Sequence, residues 1–156
     1  MAEVSEAKDG QGAPQGLGTA RIRHIGITTT DPGATADFFI KGFGFVEVMR
    51  RENNEAAIVS DGYINVTLLK FKVDRYGGGR PGLHHFGIKV EDLAQAEGQI
   101  APLGAVELAE WNRTYGNQEG TPEHWVGERK WMTPEGISID VNPSGWITRP
   151  GGARGE

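Results

Sequence analysis

The sequence of 156 residues contains no cysteine, which excludes disulfide bonds and thiolate metal ligands. No run of apolar residues approaches the length that crosses a membrane, and the first residues lack the basic and apolar pattern of a signal peptide. Acidic residues outnumber basic ones, and the net charge of -5 leaves no basic surface for nucleic acid or an anionic membrane. These absences predict a soluble cytoplasmic protein that binds neither nucleic acid nor membrane.

Glycine, in contrast, is abundant: 24 glycines and two polar ends lower the hydrophobic fraction to 37%. Residues 1–19 hold almost nothing that a core could bury, so we expect a disordered N-terminal tail. Residues 147–156, with three glycines and Pro150, predict a flexible C-terminal tail. The chain between them, residues 20–146, is long enough to form one domain with its own core.

A short pattern occurs twice in this domain. Residues 23–27 and 84–88 share the sequence His-x-Gly-Ile, and an aspartate follows each copy at the same offset. A glycine then closes each copy, so each predicts a strand, an acidic helix cap, a helix and a helix stop. The matching aspartates are Asp31 and Asp92, and the matching glycines are Gly44 and Gly104.

Hydrophobic periodicity extends each copy into a βαβββ module, which predicts an α+β fold. Module one covers residues 20–73, a glycine-rich linker covers 74–82, and module two covers 83–146. In module one we expect strands at 21–29, 45–50, 55–60 and 63–71, and a helix from Pro32 to about Lys41 that ends at Gly42. In module two we expect strands at 83–90, 105–108, 128–133 and 136–142, and a helix at 92–101.

The two modules, with a last strand that follows Pro134-Glu135-Gly136, resemble the vicinal oxygen chelate superfamily. That family includes glyoxalase I, extradiol dioxygenases, methylmalonyl-CoA epimerase, and the fosfomycin and bleomycin resistance proteins. The resemblance covers residues 20–146 and implies paired curved half-barrels around a cleft, often with a divalent metal inside. It also implies a small-molecule substrate and a homodimer, and it leaves open whether the modules pair within one chain or swap across the dimer.

The resemblance implies metal ligands on the first and last strands of the modules. The first strands offer His24 and His85, and the last strand of module two offers Asp140, where the family usually has glutamate. The matching strand of module one has no carboxylate and should present Asn65 and Thr67 to the substrate. A His, His, carboxylate set is typical of extradiol dioxygenases and fosfomycin resistance enzymes, whereas glyoxalase I and the epimerase add a fourth ligand.

The alternation of side chains along the strands supports the same three residues independently. In each strand, isoleucine, valine or phenylalanine forms one face, and His24, His85 or Asp140 lies on the other. Two neutral imidazoles and a carboxylate bind Fe(II), Mn, Zn, Co or Ni and leave coordination positions open. The alternative is two hydrogen-bonded core histidines retained by duplication and an aspartate that stabilises a turn.

Residues 110–126 interrupt the second module with aromatic and charged side chains, which is typical of a functional loop. The alternative is a surface excursion whose tryptophans pack on the core. Glu128 and His124 are candidates for acid–base catalysis. For the nearby Lys130, a position on a solvated strand edge is at least as good an interpretation as a functional role. The candidates for substrate contacts here are Trp111, Arg113, Tyr115 and Lys130.

Three functions fit these features. The first is a metal-dependent oxidoreductase similar to the extradiol dioxygenases, acting on a small compound with two adjacent oxygens. The second is a glyoxalase-like lyase or isomerase that moves a proton next to a metal-bound carbonyl, with Glu128 as the base. The third is a binding protein without metal, similar to bleomycin resistance proteins, in which Trp111, Trp125 and Trp131 stack on the ligand.

Overall fold

The computed structural model describes residues 18–72, 80–115 and 128–155. Residues 1–17, for which the sequence predicts disorder, lie outside the described residues. Most of the linker, His124 and Trp125 lie outside them as well. The strands are β1 (Arg21–Thr29), β2 (Val46–Arg50), β3 (Ala56–Ser60), β4 (Asn65–Lys70), β5 (Gly82–Lys89), β6 (Val106–Glu107), β7 (Arg129–Met132) and β8 (Ser138–Asn142). The helices are α1 (Pro32–Phe43), α2 (Leu93–Ile100) and α3 (Ala109–Tyr115), and a short 3₁₀ turn covers Ala101–Leu103.

The strands form one open, curved, mixed sheet in the order β2-β3-β4-β1-β5-β8-β7-β6. In each module the first strand runs parallel to the last, β1 with β4 and β5 with β8, and the other neighbours are antiparallel. This confirms the predicted α+β fold of two βαβββ modules. Within the described residues, no helix combines the length and apolar character needed to span a membrane.

Local sequence signals place both long helices. Asp31 caps α1 by accepting a hydrogen bond from the Ala34 backbone N–H at 2.9 Å, and Asp92 does the same for Gln95 in α2. Helix α1 ends at Gly44, which adopts φ 72° and donates its backbone N–H to Ile40. This confirms the helix stop that the repeat predicts at Gly44. The other predicted stop, at Gly42, is wrong, because Gly42 keeps helical geometry and the left-handed cap comes two residues later.

The helices cover one face of the sheet with two separate cores. In module one, Ala36 of α1 packs on alternate residues of β3 and β4; in module two, Ala96 of α2 packs on alternate residues of β7 and β8. The remaining buried members are Ala57, Val59, Val66 and Leu68 in the first core, and Val90, Trp131, Ile139 and Val141 in the second. The polar residues at the intervening positions of β4, β7 and β8 therefore lie on the opposite face.

Helix α3 begins the stretch that was expected to be a functional loop. Asn112 lies buried on this helix, and its side-chain oxygen accepts the backbone N–H of Lys130 at 2.7 Å. Its amide nitrogen donates to the Lys130 carbonyl at 3.2 Å. These bonds fasten α3 to β7, so the first part of the stretch is an integral element of module two.

The modules join within one chain, through antiparallel pairing of β1 with β5. In this pairing His24 lies opposite Gly87, and His85 lies opposite Gly26. A Cβ atom at Gly26 would overlap the His85 ring, and one at Gly87 would lie 2.5 Å from the Trp146 ring and 2.8 Å from the Cβ of His24. The glycine of each His-x-Gly-Ile motif thus makes room for aromatic side chains that face the other motif.

The C-terminal segment, which the sequence predicts to be a flexible tail, makes specific contacts with the sheet. The carbonyl of Ile147 accepts the Asn65 side-chain amide at 2.6 Å, and Thr148 is buried. Lys89 of β5 donates to the Gly155 carbonyl at 2.9 Å. The first residues of this segment therefore belong to the packed domain, and they lie on the face opposite the helices.

We expect Gly87→Ala to destabilise the protein by about 1–3 kcal/mol, because the added methyl group must displace the Trp146 ring or separate β1 from β5. Gly42→Ala is the matched control, since that glycine is helical and a Cβ there meets no atom within 4 Å. Urea unfolding of both variants and the wild type measures the difference. A Gly87→Ala variant as stable as the Gly42→Ala variant would contradict this account of the junction.

Candidate metal centre

The three predicted metal ligands converge at the junction of the modules. Nε2 of His24 lies 3.0 Å from Nε2 of His85, which lies 3.0 Å from Oδ2 of Asp140. One ligand atom from each residue falls within 4.8 Å of the others, and the three side chains are 4%, 7% and 0% exposed. Ligands about 2.1 Å from a metal and at right angles to each other are about 3.0 Å apart, so this spacing fits one shared cation.

The chemistry of the donor atoms fits as well. Two imidazoles and one carboxylate suit the intermediate divalent metals, and a buried set of this kind needs a counter-charge or a cation. Thr67 of β4 pairs with Gly26 of β1, and Asp140 of β8 pairs with Gly87 of β5. Thr67 therefore occupies the place in module one that Asp140 occupies in module two. Its neutral hydroxyl donates to Asn65 at 2.8 Å, which leaves His24, His85 and Asp140 as the strong ligands.

A hydrogen-bond chain fixes the orientation of His24. Asn65 donates its amide nitrogen to the Ile147 carbonyl at 2.6 Å, and a carbonyl can only accept, so the Asn65 oxygen must face His24. That oxygen accepts from Nδ1 of His24 at 2.9 Å. The proton of the neutral imidazole therefore lies on Nδ1, and the lone pair on Nε2 faces the centre. Asn65, which we expected to contact substrate, here positions a candidate ligand.

His84 supports His85 in a similar way. His84 precedes His85 in β5, and its Nδ1 lies 2.7 Å from Nδ1 of His85. One of these nitrogens must donate and the other accept. When Nε2 of His85 presents its lone pair to a cation, Nδ1 of His85 carries the proton and donates it to His84.

Trp146 is the residue of this centre that sequence reasoning missed. Its ring stacks on the His24 ring with centroids 5.0 Å apart and planes inclined by 9°, and it is buried. It follows the last strand after a Pro-Ser-Gly turn, and that position is the available signal. The tryptophan covers His24 and keeps water from that side of the site.

Lys130 lies inside the centre, which overturns the alternative reading of a solvated strand edge. It is 3% exposed, its ammonium pairs with Oδ1 of Asp140, and it lies 4.8 Å from the centroid of the Trp111 ring. Trp111 therefore packs beside the site through Lys130. Because the ammonium holds Oδ1, Oδ2 of Asp140 is the oxygen that faces His85.

Glu128 is buried close enough to Asp140 for the charge of that carboxylate to act on it. Burial raises the pKa of Glu128 well above its usual range, and the charge of Asp140 raises it further. Burial alone would raise the pKa of Asp140 too, but His85 and Lys130 hold that pKa well below its usual range. Of the two carboxyl groups, Glu128 is therefore the one whose protonated form is favoured.

Two further candidates lie on α3. Arg113 is exposed there, and the Tyr115 side chain lies outside the described part of the chain. Trp131 packs in the core of module two, on the helix side of the sheet, so it cannot stack on a ligand beside His85. The prediction that Trp131 contacts a ligand is wrong because it adjoins Lys130 in β7 and so points the other way.

The fold and site together define a class: two related modules in one open sheet, with two histidines and a carboxylate where the modules meet. The chain belongs to the glyoxalase/bleomycin resistance protein/dioxygenase superfamily, whose family model matches residues 21–123. This confirms the resemblance read from the motifs. No curated protein matches the chain.

Solved structures share the fold. A hypothetical protein, BH1468, from Bacillus halodurans C-125 is 14% identical with a TM-score of 0.55, over 79% of this chain and 93% of that one. The 2,3-dioxygenase LapB from Pseudomonas sp. KL28 is 15% identical with a TM-score of 0.56, and the match covers 78% of this chain and 40% of LapB. A methylmalonyl-CoA epimerase variant from Streptomyces coelicolor is 21% identical with a TM-score of 0.52, over 78% and 92% of the two chains. At these identities the likeness shows the fold alone.

We expect Asn65→Ala to weaken divalent-metal binding by about 10–100-fold, because the Nδ1 proton of His24 loses its acceptor and the ring its orientation. Thr67→Val is the milder control, since it removes only a hydroxyl that donates to Asn65. Competition with a chromophoric chelator measures both affinities. A loss no greater in Asn65→Ala than in Thr67→Val would refute the positioning role.

Acid should destabilise the metal-free protein through His24. Burial, with the nearby His85, lowers the pKa of His24 from 6.5 to about 3, so between these values the unfolded chain binds more protons than the folded one. The free energy of unfolding therefore decreases as the pH falls. His24 accounts for about 2 kcal/mol of this decrease between pH 7 and pH 5. Urea unfolding in the presence of a chelator measures the free energy of unfolding at both pH values. Its decrease from pH 7 to pH 5 should be smaller by that amount in His24→Asn than in the wild type. Equal losses in both proteins would contradict the assignment.

Proposed function

We propose that this protein is a divalent-metal-dependent enzyme of the dioxygenase type, acting on a small compound with two adjacent oxygens such as a catechol. The observation that carries the proposal is the convergence of His24, His85 and Asp140 within 4.8 Å at a buried junction. Two histidines and one carboxylate with open positions are typical of non-haem Fe(II) oxygenases. Position 67 carries a threonine and no carboxylate. This favours the dioxygenase reaction over the reactions of glyoxalase I and the epimerase, whose sites have a fourth ligand.

The residues of the chain divide the work around that metal. When bound, the metal would polarise the two substrate oxygens and provide a meeting point with dioxygen. Asn65 holds the His24 ring in the tautomer that a ligand needs, and Trp146 shields it from water. Lys130 fixes the Asp140 carboxylate by holding one of its oxygens.

Glu128 favours a second candidate, a lyase or isomerase that transfers a proton next to a metal-bound carbonyl. A buried carboxyl group whose pKa is raised, as burial raises that of Glu128, can act as a general acid, and as a base in the reverse direction. The third reading, a ligand-binding protein without metal, is weakened because Trp131 lies in the core of module two.

Elemental analysis of protein purified without chelator tests the shared requirement for metal. We expect about one metal ion per chain in the wild type and none in His85→Ala, because that variant removes the ligand between the other two. His84→Ala is the comparison variant: it leaves the three ligands in place and removes only the partner of His85 Nδ1, so it should weaken metal binding without abolishing it. A metal-free wild type after reconstitution, or stoichiometric metal in His85→Ala, would refute the site.

The identity of the bound metal and two assays then distinguish the dioxygenase reaction from the isomerase reaction. The dioxygenase predicts that the Fe(II)-loaded protein consumes one dioxygen per catechol, with both oxygen atoms entering the product, and that anaerobic protein is inactive. The isomerase predicts anaerobic exchange of a substrate C–H with solvent deuterium, lost in Glu128→Gln. Exchange without oxygen uptake would overturn the dioxygenase in favour of the isomerase.

A further inference from the structure

Beyond the candidate metal centre, the face of the sheet opposite the helices continues across module one, and the inference about its role rests on the function proposed above. The strand registers place one residue each from β5, β1, β4, β3 and β2 side by side: His85, Gly26, Thr67, Ile58 and Met49. Residues that pair directly across neighbouring strands point to the same face of a sheet. The row therefore leads from a candidate ligand to the edge of the sheet.

The contacts of α1 confirm which face these side chains share. Ala57 and Val59, on either side of Ile58 in β3, are buried in the core that α1 covers. Arg50, the residue after Met49, donates to the Gly33 carbonyl of α1 at 3.1 Å. Ile58 and Met49 therefore point away from the helices, to the side on which the candidate ligands lie.

The two halves of this face differ in exposure. In module two, the side chains on this face are at most 6% exposed at Glu128, Lys130, Ser138, Asp140 and Asn142. In module one, the side chains are half-buried at Met49, Ile58, Thr67 and Leu69. A small molecule bound at the metal position can therefore extend over module one, whereas the surface of module two beside it is already covered.

The accessible half is also uncharged. In β2, β3 and β4, which the structure describes in full, the paired positions on this face carry no charge; they are Val46, Met49, Ala56, Ile58, Ser60, Asn65, Thr67 and Leu69. Neighbouring strands are about 4.8 Å apart, so Ile58 lies about 5 Å and Met49 about 10 Å beyond Thr67. Apolar groups gain free energy by leaving water for such a surface, whereas a charged group loses its hydration and finds no partner.

We infer that Met49, Ile58 and Leu69 form a binding subsite, the apolar strip, for an uncharged apolar extension of the substrate. In this arrangement the two adjacent oxygens of the substrate lie at the metal position, and an alkyl or aryl group extends from them past Thr67 and across β3 and β2. Ile58 and Met49 are then specificity-determining residues, Ile58 for the near part of the extension and Met49 for its far end.

The test uses the full chain loaded with nickel in anaerobic buffer. The probes are catechol and its derivatives with a methyl, a propyl or a propanoate group at carbon four; the last carries a negative charge at the end of its chain. Ile58→Lys places a cation in the apolar strip. Phe38→Lys is the matched control, because it adds the same charge to α1 on the opposite face, at a side chain that is 61% exposed. Isothermal titration gives the affinity for each probe, and competition with a chelator gives the affinity for nickel.

We expect the wild type to bind the propyl derivative on the order of tenfold more tightly than catechol, and the propanoate derivative no more tightly than catechol. Ile58→Lys should lose the preference for propyl and bind the propanoate derivative more tightly than the propyl derivative. Phe38→Lys should behave as the wild type. All three proteins should bind nickel equally, since neither residue belongs to the candidate ligands.

Equal affinity of the wild type for catechol and its propyl derivative would overturn the apolar strip, and so would equal behaviour of the two lysine variants. Either result leaves the proposed function intact, because catechol still binds the metal-loaded protein. A wild type that binds no nickel would overturn both.

Should Ile58→Lys fail to fold, Met49→Ala decides. Met49 lies one strand farther from the metal position than Ile58. Met49→Ala should therefore weaken the binding of the propyl derivative by about threefold and leave the binding of the methyl derivative unchanged. An equal effect on the two derivatives, or no effect on either, would overturn the apolar strip.

Discussion

The antiparallel pairing of β1 with β5 is the constraint on which the rest of the structure depends. It joins two modules that each have their own core, and it brings His24 and His85 to adjacent strands with their Nε2 atoms 3.0 Å apart. The pairing is possible because glycine lies opposite each histidine. A side chain at either glycine would occupy the space that His85 or Trp146 fills, so one motif serves both the packing and the site.

Burial then determines how the site must be composed. Ionised groups removed from water require partners, and here Asp140 is shared between Lys130 and His85, while burial raises the pKa of Glu128. The same burial lowers the pKa of His24, which favours the neutral imidazole that metal binding needs.

The two modules are related but not equivalent. The position that holds Asp140 in module two holds Thr67 in module one. The C-terminal segment places Trp146 against His24 and the Ile147 carbonyl against Asn65, so the carboxylate-free module receives its support from the end of the chain. One pseudo-symmetric fold thereby holds an asymmetric site, with its charged residues on the side of module two.

The sequence by itself determined the local structure and the faces of the strands. Alternation of apolar residues sets β1 at 21–29, aspartates cap both helices, and the same alternation places His24, His85 and Asp140 away from the cores, because these properties depend on neighbours along the chain. Only the tertiary structure decided which polar residues are buried and what they contact. Lys130 could not be distinguished from a solvated edge residue, nor Asn65 from a substrate contact, nor Trp146 from a residue outside the site. Their surroundings come from α3, from the C-terminal segment and from the opposite module, and burial is set by what packs from distant parts of the chain.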